Sequence, residues 1–162
     1  TLGEISDVFV NIFGRYEPKF SFWGWFELRV DHVAIAVNSV SEALKNYEKI
    51  LKIDKIDIED VPTERVKVAI LRLEDTRIEL MEPTADDSPI KKFLTDRGEG
   101  IHHIAITADD IENDVERAIA SGTRMIGNIR TGSYGRKITF IHPKSMHGVL
   151  TEFCQAPPES KE

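Results

Sequence analysis

The sequence predicts an α+β fold made of two βαβββ modules in tandem, and three observations carry that reading. Two short β-branched runs with a histidine near their start, VDHVAIAV from residue 30 and HHIAIT from residue 102, open two stretches of similar length. Each run is followed by one amphipathic helix pattern and then by three strand candidates, in the same order. The last strand of each set, RIELM in one and VLTEF in the other, carries a carboxylate between bulky residues. A pattern that recurs in this way is an internal duplication, and it directs attention to matched positions in the two copies.

The elements follow in order. Residues 1–29 form an aromatic-rich N-terminal extension, with Ile5, Val8, Phe9, Ile12 and Phe13 at helical spacing and both tryptophans in FSFWGWF. It is expected to act as a strap on the main domain or on a partner subunit. Residues 30–97 make the first module and its linker helix. VDHVAIAV reads as a strand, and SVSEALKNYEKIL as a helix whose stripe is Val40, Ala43, Leu44, Tyr47, Ile50 and Leu51. Ser39 and Glu42 have capping-box spacing at its start. Strands are expected near 54–60, 65–73 and 76–82. Ser88 as N-cap with Pro89 at N1 starts a short helix, IKKFL. Gly98 and Gly100 close the linker. Residues 98–155 make the second module, where Asp110 stands from His103 as Ser39 does from His32. Its helix turns Ile111, Val115, Ala118 and Ile119 inward and ends at Gly122, a C′ glycine. Strands near 124–130, 136–142 and 148–154 complete the copy, and 156–162 form a tail.

Composition narrows the function classes. The chain has 162 residues, 41% apolar and 30% charged, as suits a globular protein. A net charge of −7 argues against a nucleic-acid partner, which needs a basic face, though not against a small phosphorylated ligand. Cys154 is the only cysteine, so no intrachain disulfide can form and a reducing compartment, the cytoplasm, is expected. No membrane span and no secretory-type leader are expected.

Strand parity selects the candidate site. His32 shares a face with Ala34 and Ala36, opposite Val33, Ile35 and Val37, so the small-residue face can line a cavity. In the second copy the same logic chooses His103, with Ala105 and Thr107, over His102, which reads as a structural residue. Glu79 and Glu152 stand between bulky neighbours in the matching last strands, where a lone buried acid is costly. If a pseudo-twofold axis relates the modules, His32, Glu79, His103 and Glu152 converge. Two imidazoles and two carboxylates suit a divalent ion with open positions for substrate, and the absence of thiolates removes a structural zinc site.

DHVAIAV, RIELMEP, DSPIKKFL, GEGIHHIAI and ITFIHPKSMHGVLTE closely resemble the methylmalonyl-CoA epimerases of the vicinal oxygen chelate, or glyoxalase-like, superfamily. The resemblance spans about residues 30–155. It implies a metal-lined cup made from two half-barrels, a homodimer, and inversion of methylmalonyl-CoA at C2 through a metal-stabilised enolate. It also implies His32, Glu79, His103 and Glu152 as ligands of a divalent metal ion, Co²⁺ first, with Mn²⁺, Ni²⁺ or Zn²⁺ as alternatives. Some bacterial relatives carry a glutamate, thought to be the base, on the strand that reads VKVAIL here, where this chain has Val68. Glu152 or Glu79 is then expected to exchange the proton, as in glyoxalase I. His142, Pro143, Lys144 and Gly148 resemble the family's turn before the final strand, and His147 is expected to be exposed there. Lys91, Lys92, Lys144, Arg136 and Lys137 are expected to be mostly solvated, although any of them could meet CoA phosphates. Three rivals stay open: a glyoxalase I-type lyase acting on a glutathione hemithioacetal, an extradiol dioxygenase, in which Glu79 would be surplus, and a metal-free small-molecule binder.

Overall fold

A computed structural model describes residues 28–53 and 55–158, so the helix and strap expected within 1–27 lie outside the described residues. The elements run β1 (Val30–Ala36), α1 (Val40–Leu51), β2 (Ile56–Val61), β3 (Val66–Arg72), β4 (Arg77–Pro83), α2 (Pro89–Arg97), β5 (Gly100–Thr107), α3 (Ile111–Ala120), β6 (Met125–Thr131), β7 (Lys137–Ile141) and β8 (Thr151–Gln155). The βαβββ order thus appears twice, with α2 between the copies. All eight strands among the described residues join one sheet in the order β2-β3-β4-β1-β5-β8-β7-β6, which reads the same from either edge once β1 is matched to β5. β1 and β5 pair antiparallel at the centre, and the parallel pairs β1–β4 and β5–β8 flank them.

The sheet curls into a half-barrel. Its two edges are β2 and β6, yet Glu59 on β2 accepts from the Tyr134 backbone N–H at 3.1 Å. Glu64, in the turn after β2, takes both Nε and Nη2 of Arg130 on β6, at 2.6 and 3.0 Å. These contacts join the far edges across the concavity.

Local chemistry accounts for the helices. Ser39 Oγ accepts from the Glu42 N–H and caps α1, Ser88 Oγ accepts from the Ile90 N–H with Pro89 behind it, and Asp110 accepts from the Asn113 N–H to start α3. Gly122 takes φ 83°, the left-handed turn expected after α3. On the convex side Val40 and Leu44 of α1 pack with Val37, Ala69, Leu71 and Leu80. On the concave side α2 lays Ile90 against Ala34, Ala36, Val68, Ile70 and Met81, closing one end of the cup. None of the described helices is long and apolar enough to cross a membrane.

Some expectations shift. Ile50, Leu51 and Ile119 face solvent, because the sheet meets only one row of each helix. The last strand starts at Thr151, since the chain is still in a turn at 146–148, where His147 and Gly148 take positive φ. Ala34 and Ala36 lie under α2 and leave the open cavity to residues farther along the cup.

Candidate functional site

The cup encloses a cavity of about 230 Å³ lined mostly by apolar side chains, among them Val68, Met81, Ile90, Ile138 and Phe140. Its polar base is formed by the four residues that parity selects. His32 and His103 sit on the two central strands, and Glu79 and Glu152 on the strands parallel to them. The register places Ala34 opposite Glu79 and Ala105 opposite Glu152, so the two halves deliver equivalent groups by the same rule. All four are buried, at 3–4% exposure, which for two carboxylates requires compensating charge or donors.

The reacting ends converge. His32 Nε2 and His103 Nε2 are 3.2 Å apart, His103 Nε2 is 3.2 Å from Glu152 Oε2, and His32 Nε2 is 3.7 Å from Glu79 Oε2 and 3.9 Å from Glu152 Oε1. Two ligands about 2.1 Å from one cation lie roughly 3.0 Å apart at a right angle and roughly 3.4 Å apart at a tetrahedral angle. The nearer spacings fall in that range. His32, His103 and Glu152 offer atoms within 4.8 Å of one another, and this cluster is compatible with a metal ion. Glu79 stands at its margin. Its Oε1 is buried with no hydrogen-bond partner among the described residues, and its closest cation is Arg77 Nη2 at 3.5 Å. Two facing imidazole nitrogens with the Glu152 carboxylate form a donor set that fits a divalent ion, and Glu79 Oε2 stands next to it.

Behind His32 lies a charged support that sequence reasoning missed. His32 Nδ1–H donates to Asp31 Oδ1 at 2.8 Å, and Asp31 also receives Arg77 Nη2 and, at 3.1 Å, Arg136 Nη1. Burial alone would raise the Asp31 pKa, but the His32 hydrogen bond and the two guanidinium groups hold it below the usual carboxylate range. Burial likewise opposes charge on His32, while Asp31, Glu79 and Glu152 outweigh it and lift the imidazole above its ordinary value. Arg136 is therefore not the solvated surface residue that composition suggests. The signal was the Asp-His doublet, whose meaning depends on a bulge that leaves Asp31 unpaired.

His102 is packed and hydrogen-bonded, as a structural residue should be, but it lines the cavity beside His103 although alternation assigns it to the other face. A bulge in β5 is the cause: Ala34 pairs with His103 but Ile35 pairs with Ile101, leaving His102 as the extra residue. Its Nδ1 is 2.9 Å from His103 Nδ1, and Phe93 meets its ring edge-on at 5.0 Å. Burial first, then His103 and Arg97, push the His102 pKa down to about 4, so the ring is neutral. Arg130 and Glu64 line the cavity mouth as an ion pair, with the guanidinium 5.2 Å over Phe140. This pair was not legible in sequence because its members belong to different modules. Val68 is buried in the cavity wall, and Lys67, its neighbour, is not among the lining residues.

Comparison with known proteins places these features. The family model described as the glyoxalase/bleomycin resistance protein/dioxygenase superfamily matches residues 31–140. A mitochondrial methylmalonyl-CoA epimerase of Dictyostelium discoideum is 36% identical over 126 residues, 76% of either chain. A crystal structure of a hypothetical protein from Bacillus halodurans superposes with a TM-score of 0.79 at 40% identity, covering 84% of this chain and 99% of that one. A variant of the Streptomyces coelicolor methylmalonyl-CoA epimerase in complex with 2-nitronate-propionyl-CoA superposes with a TM-score of 0.77 at 34% identity, covering 80% and 98%.

Proposed function

The chain belongs to the glyoxalase/bleomycin resistance protein/dioxygenase superfamily, and from that premise we propose that it epimerises methylmalonyl-CoA at C2 through an enolate, using a divalent cation held by His32, Glu79, His103 and Glu152. The observation that supports this reading best is the convergence of two imidazoles and two carboxylates, from matched positions, at the base of one buried cavity. Its likeness to methylmalonyl-CoA epimerases over most of the chain supports the choice of substrate.

The C2 hydrogen lies between a thioester and a carboxylate and is too weakly acidic to leave unaided at neutral pH. His32, Glu79, His103 and Glu152 would hold a divalent cation, Co²⁺ first and Mn²⁺, Ni²⁺ or Zn²⁺ as alternatives, and when bound it would supply positive charge that stabilises the developing enolate. The protein's own residues do the rest. A cavity of about 230 Å³ accepts the short acyl group and leaves the bulk of CoA outside. Val68, Met81, Ile90, Ile138 and Phe140 keep water from the exposed carbanion face. With Val68 where some relatives carry an acid, the cup's own carboxyl groups exchange the proton, one taking it from one face of C2 and the other giving one back on the opposite face, which inverts the centre. Glu79, whose Oε1 has no hydrogen-bond donor among the described residues, and Glu152, 3.2 Å from His103 Nε2, are the two candidates.

The test is NMR of methylmalonyl-CoA in D₂O, following loss of the C2 hydrogen with Co²⁺-loaded protein and again with chelator. Exchange that chelator abolishes is the expected result. No exchange with loaded protein, or turnover of a glutathione hemithioacetal instead, overturns the assignment. Glu79→Gln and Glu152→Gln identify the base: full exchange in both variants clears both carboxylates.

A further inference from the structure

Both imidazoles at the base of the cup have a partner on the nitrogen that faces away from the cluster. In both strands that partner is the residue immediately before it in sequence. His32 Nδ1 meets Asp31 Oδ1 at 2.8 Å, and His103 Nδ1 meets His102 Nδ1 at 2.9 Å. In a regular strand this is impossible, because consecutive side chains leave on opposite faces. Two irregularities in the β1–β5 ladder permit it. Val30 pairs with Ile106 and His32 with Ala105, which leaves Asp31 over; Ala34 pairs with His103 and Ile35 with Ile101, which leaves His102 over. Each bulge turns the extra residue toward the side of its histidine neighbour. The duplicated modules thus reach one arrangement by the same backbone device, with different chemistry in each copy.

We infer that His102 is a positioning residue, whose Nδ1 accepts the Nδ1–H of His103 and so leaves the His103 Nε2 lone pair directed at His32 and Glu152. This rests on the reading of the cup as a cation site. The chemistry is restrictive. A neutral imidazole has one N–H and one lone pair, and a ring nitrogen that ligates a cation keeps its proton on the other nitrogen. When His103 Nε2 is a ligand, its Nδ1–H needs an acceptor, and His102 Nδ1 is the ring atom within hydrogen-bond distance. Phe93, edge-on to His102 with centroids 5.0 Å apart, and Phe140, edge-on to His103 at 5.1 Å, hold the two rings in place. The two ligands are therefore unequal. Asp31 is an anionic acceptor anchored by Arg77 and Arg136, which strengthens His32 as a donor. His102 offers a ring lone pair rather than a carboxylate and has no ion-pair anchor among the described residues, so His103 is the weaker and more readily exchanged of the two.

The experiment uses the whole chain loaded with Zn²⁺. In ¹⁵N-labelled protein, a scalar coupling across the hydrogen bond between the two Nδ1 atoms is expected, with the proton covalently on His103. Zn²⁺ dissociation constants, measured by competition with a chromophoric chelator, give the second readout. His102→Phe keeps a ring and removes the acceptor, and should weaken binding roughly ten- to hundredfold; His102→Asn restores an acceptor oxygen and should return it to within a few-fold of wild type. A proton found on His102, no coupling, or equal affinity for wild type and His102→Phe overturns the inference while leaving the cation site standing. Failure of wild-type protein to take up Zn²⁺ overturns both. The NMR arm is read on wild type, so it stands even if a variant fails to fold.

Discussion

Replacing Glu79 by glutamine should stabilise the protein without a cation and deprive it of most of the stabilisation that a cation brings. The carboxylate is 4% exposed, its Oε1 has no hydrogen-bond partner among the described residues, and its closest cation, Arg77 Nη2, is 3.5 Å away and engaged with Asp31. A buried polar group left unpaired costs about 1–3 kcal/mol, and more when charged. The amide carries no charge, can turn its oxygen to Arg77, and can donate its NH₂ to His32 Nε2 at a pH above the raised His32 pKa, where that imidazole is neutral and the melts are run. For a chain of this size each kcal/mol moves Tm by roughly 2–4 °C, so Glu79→Gln should melt at least about 2 °C higher in chelator. Addition of Co²⁺ at about 100 times the wild-type Kd contributes about 2.7 kcal/mol, or roughly 5–11 °C, to wild type. If losing the carboxylate weakens binding about a hundredfold, the same Co²⁺ concentration gives the variant only about 0.4 kcal/mol, roughly 1 °C. Scanning calorimetry of both proteins, with chelator and with Co²⁺, reads all four values. A variant that melts lower in chelator and shows an undiminished Co²⁺ shift would refute the placing of Glu79 against a cation.

Ile90→Ala should cost about 2–4 kcal/mol in urea unfolding, because Ile90 is 3% exposed and is the buried residue by which α2 roofs the first half of the cup. Gly132→Ala should cost roughly 1–3 kcal/mol in the same assay, since a Cβ there would stand 2.8 Å from Ile138 Cδ1 in the cavity wall. A double-mutant cycle on Glu64→Gln and Arg130→Met should give a coupling of about 0.5–1 kcal/mol, modest because the pair is partly exposed. Cys154, 1% exposed and pushed up by burial and then by Glu152 and Asp31, should resist iodoacetamide in native protein and react only after denaturation; native labelling seen by mass spectrometry would contradict its burial.

The duplicated order, the caps at Ser39, Ser88 and Asp110, and the four residues at the base of the cup were legible in the sequence. Each follows from local rules: period two or 3.6, a side-chain acceptor at a helix start, and the same offset in two copies. Exposure of Ile50, Leu51 and Ile119 was not, because a helical stripe marks which residues can be buried and not how much sheet is available to cover them. Arg136 reads as solvated and is instead held by Asp31 from a strand far away in sequence.

By itself the sequence determined which side chains share a face, and so which histidine and which acid in each copy could meet. The tertiary structure decided what stands behind and above them. Bulges in the β1–β5 ladder override alternation and bring Asp31 and His102 to their neighbours, and the curl of the sheet joins Glu64 to Arg130 across its two edges. The physical reason is that alternation belongs to one strand, whereas a bulge or a closed edge exists only once two strands are paired in a particular register.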